Sequence, residues 1–408
     1  MSAALALPEG VAGCFTAPQI DALVTLRRAL HAHPELSLHE HETARRLAET
    51  LSAIRGVEVR SVAGTGLVAR IPGRDRRAPV VAVRGDIDAL PITEATGLPF
   101  TSMNDGVMHA CGHDVHAAWA VGAAQLLAAD PAAGDVLVIL QPAEEIGKGA
   151  LAVLESGALD GVACIFGAHV DRRFDVGQAV ADAGPLAASA DTFTIRLEGQ
   201  GAHAARPHES ADPIVGAAAV ITALQTIVAR RLNPATPGVV TVGMVHAGTA
   251  ANVIPDRAEL RGTVRAVGAE SRRFMLDEVR RLADAVAAAH RLHAHVDLEL
   301  GPPPLVNPAQ GAAWARQAAA AVLGETNVVP LAMVNLGGED FAHYLERMNG
   351  CFLRIGARER GGPMIAAHSP GFVPAEESLF CGAAVLAECA RRASRDLNHV
   401  PTPAPRAH

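Results

Sequence analysis

The chain has 408 residues, with 35 basic and 43 acidic side chains, a formal net charge of −8 and half of its residues apolar. That mixture describes a globular protein with ample core, and the length exceeds the usual single domain, so two domains are expected. The acidic balance without a basic stripe argues against a nucleic-acid partner, and 3% aromatics leave few stacking platforms for bases. No apolar run is expected to reach the roughly 18–20 residues of a membrane span; the nearest, 115–129, contains His116 and Gln125. The N-terminus lacks the basic start and cleavage pattern of a signal peptide, so the expected location is cytoplasmic. The cysteines (14, 111, 164, 351, 381 and 389) form no C-x-x-C pair and read as reduced thiols.

From the N-terminus, apolar spacing predicts amphipathic helices over 18–30 and 40–54. Strands follow over 66–71 and 80–87, an Ala-rich helix over 114–129, a strand over 135–140, a helix over 149–159 and a strand over 163–170. Runs such as Val-Val-Ala-Val and Val-Leu-Val-Ile-Leu read as strands buried on both faces, hence an α/β fold with a mostly parallel, helix-covered sheet. The rhythm changes after Gly184-Pro185: strand 191–198, helix 213–229, strands 239–245 and 259–265, helix 271–290 and strand 294–300. That β-α-β-β-α-β order is the pattern of a ferredoxin-like sandwich. Gly301-Pro-Pro-Pro304 reads as a stiff linker, after which helix 308–323, strand 351–355 and helix 376–392 restore the first rhythm. The expected organisation is an α/β domain over 1–185 and 301–408, interrupted by an inserted α+β domain over 186–300. The tail after Arg395 is expected to be disordered.

The densest chemistry lies in Met108-His-Ala-Cys-Gly-His-Asp-Val-His116. Thiolate, imidazole and carboxylate are transition-metal ligand types, and the Cys111-x-His113 spacing lets two converge from one loop. Hydrogen bonding within the loop is the alternative. Strand 135–140 runs into Gln141-Pro-Ala-Glu-Glu145, and sites in α/β sheets form beyond the carboxyl ends of strands. Adjacent carboxylates there repel unless a cation or a shared proton compensates them. One can hold a metal while the other serves as general base, or both can sit at a solvated helix N-terminus. His169 and His368 also fall at strand ends or in following loops, and four loops carrying ligand types to one face favour a shared site. Asp88, in Arg84-Gly-Asp-Ile-Asp88, can orient a ligand imidazole, or else cap a turn or pair with Arg84.

Taken together these segments resemble the aminoacylase/carboxypeptidase family of metal-dependent amidohydrolases, in the branch of indole-acetyl-amino-acid hydrolases, hippurate hydrolases and N-acyl-amino-acid deacylases. The resemblance runs from Arg27-Arg-Ala-Leu-His-Ala-His-Pro-Glu35 through Arg84–Asp88 and Gly106-Val-Met-His-Ala-Cys-Gly-His-Asp114 to Gln141–Glu145. It continues through Gly199-Gln-Gly-Ala-His-Ala204, Ala251-Asn-Val-Ile-Pro-Asp256, Gly338-Glu-Asp-Phe341 and His368-Ser-Pro370. It implies a zinc-exopeptidase-like catalytic domain, with the inserted domain as a lid through which two chains form a homodimer. It implies Cys111, His113, Glu145, His169 and His368 as ligands of two divalent metal ions per subunit, manganese or zinc, with cobalt or nickel as further candidates. It implies Glu144 as general base, and His203 and Asn252 on the lid as groups meeting the scissile carbonyl and the substrate carboxylate. Asp88 joins the catalytic set through the orienting role above. Two positions depart from the branch: His169 is followed by Val-Asp-Arg-Arg rather than an aromatic residue and a proline, and Ala375 replaces an acidic or amide residue; Asp86 stands where the wider family has a metal-binding histidine, a replacement typical of this branch.

The expected reaction is amide hydrolysis of a small-molecule N-acyl amino acid, with no nucleic acid or membrane partner. A carboxypeptidase or dipeptidase is the rival within enzymes, and a catalytically idle binding protein the rival outside them. Gly199-x-Gly-x-x-Ala resembles a dinucleotide fingerprint, but a polar loop separates it from the next helix. Ala367-His-Ser-Pro-Gly371 is one glycine short of a serine-hydrolase elbow.

Overall fold

The computed structural model describes residues 5–399, which divide into two compact units. The first contains the chain up to Gly184, Asn307–Ala332 and the chain from His343. Its seven-stranded sheet runs in the order Glu58–Val62, Gly66–Ile71, Val136–Gln141, Val80–Asp86, Val162–Asp175, Asn349–Arg358, Ala179–Val180. The four central strands are mutually parallel, and the strands flanking them are antiparallel. The α/β class with a mostly parallel sheet expected from the buried apolar runs is therefore what forms.

Helix His113–Ala129 is buried along nearly its whole length. It can approach strand Val80–Asp86 because Gly85 carries no side chain: a Cβ there would stand 2.4 Å from the His116 carbonyl oxygen. Alanines on this helix and on the C-terminal helix Glu377–His399 let the two pack closely around the fully buried Trp119. Ala, Val and Leu thus fill a core that has few aromatics to use.

Several boundaries differ from the sequence expectation. Strand Glu58–Val62 was not predicted; it is an edge strand that buries none of its residues fully, so it carries little apolar signal. The C-terminal helix continues to His399, so residues 396–399 are helical rather than a disordered tail. Residues 400–408 of that expected tail lie outside the described residues.

The second unit contains Pro185–Val306 and Met333–Ala342. Its four-stranded antiparallel sheet has the order Gly238–Ala247, Arg257–Ala266, Asp191–Glu198, His293–Glu299. Helices Pro213–Thr226 and Ala269–Ala289 pack on this sheet through Val220, Leu224, Val279 and Ala283, against Phe193, Ile195 and Leu197. This is the ferredoxin-like arrangement read from the element order. The stretch Pro213–Arg231 is, against the sequence expectation, long and apolar enough to cross a membrane, with a mean hydropathy of 1.5. One face of it packs into the core of this unit, where Val220, Leu224 and Ile227 are wholly buried. Residues 301–306 and 333–342 also group with this unit rather than with the first. Backbone bonding accounts for it: Ala190 N–H donates to the Pro302 carbonyl at 3.1 Å and Ala188 N–H to the Asn335 carbonyl at 3.0 Å.

Candidate metal centre

Within the first unit, the parallel strands end in loops that converge at their carboxyl ends. Gly112 lies between Cys111 and His113 with φ +89°, and a Cβ on it would stand 2.6 Å from Val170 Cγ2. Only glycine allows this tight turn, which aims both neighbours inward as helix His113–Ala129 begins. His113 Nδ1–H donates to the Asp88 carbonyl at 2.9 Å and lies 3.2 Å from Asp88 Oδ1, which leaves the Nε2 lone pair facing the site. His169 Nδ1–H donates to the Val170 carbonyl at 2.7 Å, so its Nε2 lone pair points at Cys111 Sγ, 3.2 Å away.

The two adjacent glutamates follow a strained turn. Ala143 has φ +53°, unusual for a side-chain-bearing residue, and its N–H donates to Glu40 Oε1 at 2.9 Å. Glu40 is fully buried and also accepts from Thr65 Oγ1 at 2.6 Å, so it braces the turn from behind. Glu145 N–H donates to Asp88 Oδ2 at 3.0 Å, and Ser37 Oγ donates to the same oxygen at 2.7 Å. Asp88 thereby ties the His113 ring to the glutamate turn. Glu144 Oε2 and Glu145 Oε1 reach 3.9 and 3.7 Å from His113 Nε2. His368, at φ +65°, stands with Nε2 3.4 Å from Glu145 Oε2, and its N–H donates to the Ala110 carbonyl at 2.8 Å.

The donor set fits a pair of cations. Cys111, His113 and His169 form one group whose ligand atoms lie within 4.8 Å of one another; Cys111, Glu145 and His368 form a second, and His113, Glu144 and Glu145 a third. His113 Nε2 and Glu145 Oε1 are both buried without a hydrogen-bond partner. Burial, with the Asp88 and Asp86 charges, pushes the Glu145 carboxyl up to about 7. Burial also pushes the Cys111 thiol well up, with Glu145 adding to it. Burial opposes a charge on His113, but Asp86 and Asp88 overcome it and raise that ring's pKa. A field that draws a proton to Nε2 draws a metal there as well, and a cation would relieve the crowded acidic groups.

The family model for peptidase family M20/M25/M40 matches residues 82–392. The chain belongs to this family. An N-acetyl-L-cysteine deacetylase of Bacillus subtilis is 41% identical over 374 residues, covering 91% of this chain and 88% of that protein. Thermostable carboxypeptidase 1 of Saccharolobus solfataricus is 35% identical over 372 residues, covering 89% and 93%. The crystal structure of the Bacillus subtilis YXEP protein, a dinuclear metal binding peptidase of family M20, superposes with a TM-score of 0.83 at 38% identity, covering 93% of this chain and 99% of that one. The chain is thus an M20 metal-dependent hydrolase with a dinuclear-type donor set.

Several residues around this M20 centre stood in the quoted segments without a role assigned to them. His116 Nδ1–H donates to Asp86 Oδ1 at 2.6 Å, while its Nε2 accepts the Val170 N–H at 3.0 Å, so both nitrogens are engaged. The i, i+3 spacing of His113 and His116 on one helix face was the available signal. Asp114 points away from the ligands: Arg27 Nε and His31 Nδ1 stand 2.8 and 2.9 Å from its Oδ2. Arg172, one of the departures from the branch pattern, lies buried among Val373, Pro363 and Glu359 and staples the loop that carries His368. In the second unit, His203 and Asn252 are exposed neighbours on a short ribbon. His203 pairs with Val253, the Ala204 N–H donates to the Asn252 carbonyl at 3.0 Å, and the Ala205 N–H donates to His203 Nδ1 at 3.0 Å.

Cobalt(II) offers a direct check on the thiolate. Loading should produce a thiolate-to-metal charge-transfer absorption that vanishes in Cys111→Ser. Persistence of the band in that variant would assign it to another cysteine and remove Cys111 from the ligand set.

Proposed function

We propose that this M20 hydrolase cleaves the amide bond of N-acyl amino acids, with Cys111, His113, Glu145, His169 and His368 holding two divalent ions. Manganese or zinc suits the mixed thiolate, imidazole and carboxylate donors, with cobalt or nickel as substitutes. The observation that carries the reading is the Glu144–Glu145 pair beside the unpartnered His113 Nε2. Metal-assisted hydrolysis needs both a ligand carboxylate and a base next to it. Bound ions would supply Lewis acidity, lowering the pKa of water and polarising the scissile carbonyl. Glu144 then takes the proton of the attacking water and returns it to the departing amine. Asp88 keeps His113 in the tautomer that presents Nε2. His203 and Asn252 meet the carbonyl oxygen and the substrate carboxylate, and the second unit serves as both lid and homodimer contact. The unpaired cysteines fit a reducing, cytoplasmic setting.

The carboxypeptidase relative supports a second reading, hydrolysis of small peptides. A panel of N-acetyl, N-benzoyl and indole-acetyl amino acids, set against dipeptides and tripeptides with Mn²⁺, Zn²⁺ or Co²⁺ added, separates the two. The acyl-amino-acid reading predicts kcat/KM at least tenfold higher for an acyl member than for any peptide. Peptides cleaved faster than every acyl compound would establish the second reading.

A further inference from the structure

Four arginines are buried in the catalytic unit, and three of them have clear structural partners. Arg27 lies against Asp114 and Glu376, Arg84 against Asp86, and Arg172 against Glu359 and three carbonyl oxygens. The fourth, Arg354, is different. It is 5% exposed, its Nε is buried without a hydrogen-bond partner, and among the described residues its side chain forms no ion pair and no hydrogen bond. Its guanidinium carbon sits 5.5 Å from the centroid of the Phe352 ring, a contact that leaves all its N–H donors unused.

Its place in the sheet puts this charge beside the metal centre. Arg354 lies on strand Asn349–Arg358, and its Cα pairs with that of His169 on the adjacent parallel strand. Register partners in a parallel pair point to the same face of the sheet, about 4.8 Å apart. The Arg354 stem and the His169 ring therefore rise side by side. A buried cation that pairs with no carboxylate has little to offset its desolvation, and among the described residues the Phe352 ring is the one contact this guanidinium makes toward folding. Its five donors form a fork that matches a carboxylate bidentately.

We propose that Arg354 binds a carboxylate of the substrate, in addition to the one α to the scissile nitrogen. This inference rests on the amidohydrolase reading above and names the substrate class within it: amides carrying a second acid group. The acid belongs either to a dicarboxylic acyl group or to an acidic amino acid, and two matched pairs tell the sources apart. One is N-succinyl-L-leucine against N-butyryl-L-leucine; the other is N-acetyl-L-glutamate against N-acetyl-L-glutamine.

The test is kcat and KM for the metal-loaded full chain on all four compounds, in wild type, Arg354→Leu and Arg354→Lys. Wild type should favour the charged member of one pair by roughly tenfold or more, as charge-assisted hydrogen bonds allow. Arg354→Leu should lose that preference through KM and keep kcat/KM on the neutral members within about threefold, with Arg354→Lys retaining part of the preference. Because only the Phe352 ring contact is lost and no hydrogen bond or ion pair goes with it, the melting temperature of Arg354→Leu should be unchanged or higher. Hydrolysis of the neutral members with no charge preference, or a preference that survives in Arg354→Leu, would overturn this inference alone. So would a lowered melting temperature with equal losses on charged and neutral members, since that marks a structural residue. No hydrolysis of any member by wild type would overturn the amidohydrolase reading, and this inference with it.

Discussion

Glu144→Gln should give a protein that binds both metal ions and barely turns over. The substitution keeps the volume and most of the hydrogen bonding of the side chain while removing its ability to accept and return a proton. The neighbouring Glu145, held by its own N–H on Asp88, has no reason to move. A positioned general base contributes roughly 10² to 10⁴ in rate, and one that also serves as acid to the leaving amine sits at or above the top of that range. The drop should fall on kcat, with metal content unchanged at two ions per chain. A variant that retains metal and works within tenfold of wild type would remove Glu144 from the base role. One that loses a metal ion would make it a ligand instead.

Asp114→Ala should be among the most destabilising single changes in the catalytic unit. Asp114 is fully buried and stands between two buried cationic partners, with Arg27 Nε and His31 Nδ1 each within 3 Å of its Oδ2. His31 in turn reaches Glu94 at 3.1 Å, and Glu94 accepts the Ser102 N–H at 2.6 Å, so the network reaches into the loop near residue 100. Removing the aspartate leaves the Arg27 guanidinium buried with a 3.4 Å contact to Glu376 and the Phe100 ring 5.0 Å away. Breaking a buried pair on one side typically costs about 3–5 kcal/mol. Urea denaturation should show a loss of that size, and a second change, Arg27→Met, should recover part of it because the stranded charge is gone. A loss below about 1 kcal/mol, or no coupling between the two positions, would mean that the network contributes little.

Much of this was legible because the informative residues announce themselves chemically. The runs Val80–Val83 and Val136–Leu140 read as central strands, since both of their faces are apolar, and the chemistry followed at their carboxyl ends. Cys111, His113 and the paired glutamates are conspicuous for the same reason: adjacent ligand types in loops seldom serve packing alone. What stayed hidden depends on contacts between distant segments. Glu40 bracing Ala143, Ser37 on Asp88 and Arg27 on Asp114 join positions 51 to 103 residues apart. No local pattern encodes such pairs. Strand Glu58–Val62 escaped because an exposed edge has no need of alternating apolar residues. The apolar helix Pro213–Thr226 passed as unremarkable because its small residues, Gly216 through Ala219, dilute the run without breaking it. The unpaired state of Arg354 could not be read at all, since an arginine in a strand usually finds a carboxylate and only the fold reveals that this one does not.

The central claim is that two metal ions, held by this donor set, make the chain an amide hydrolase. It is tested most directly by stripping the protein with a chelator and titrating Mn²⁺ back, while bound metal and hydrolysis of an N-acetyl amino acid are followed on the same samples. Activity should be absent in the stripped protein, return as ions bind, and reach its plateau at two per chain. Turnover that persists without metal, or a chain carrying two ions that cleaves no amide, would contradict it.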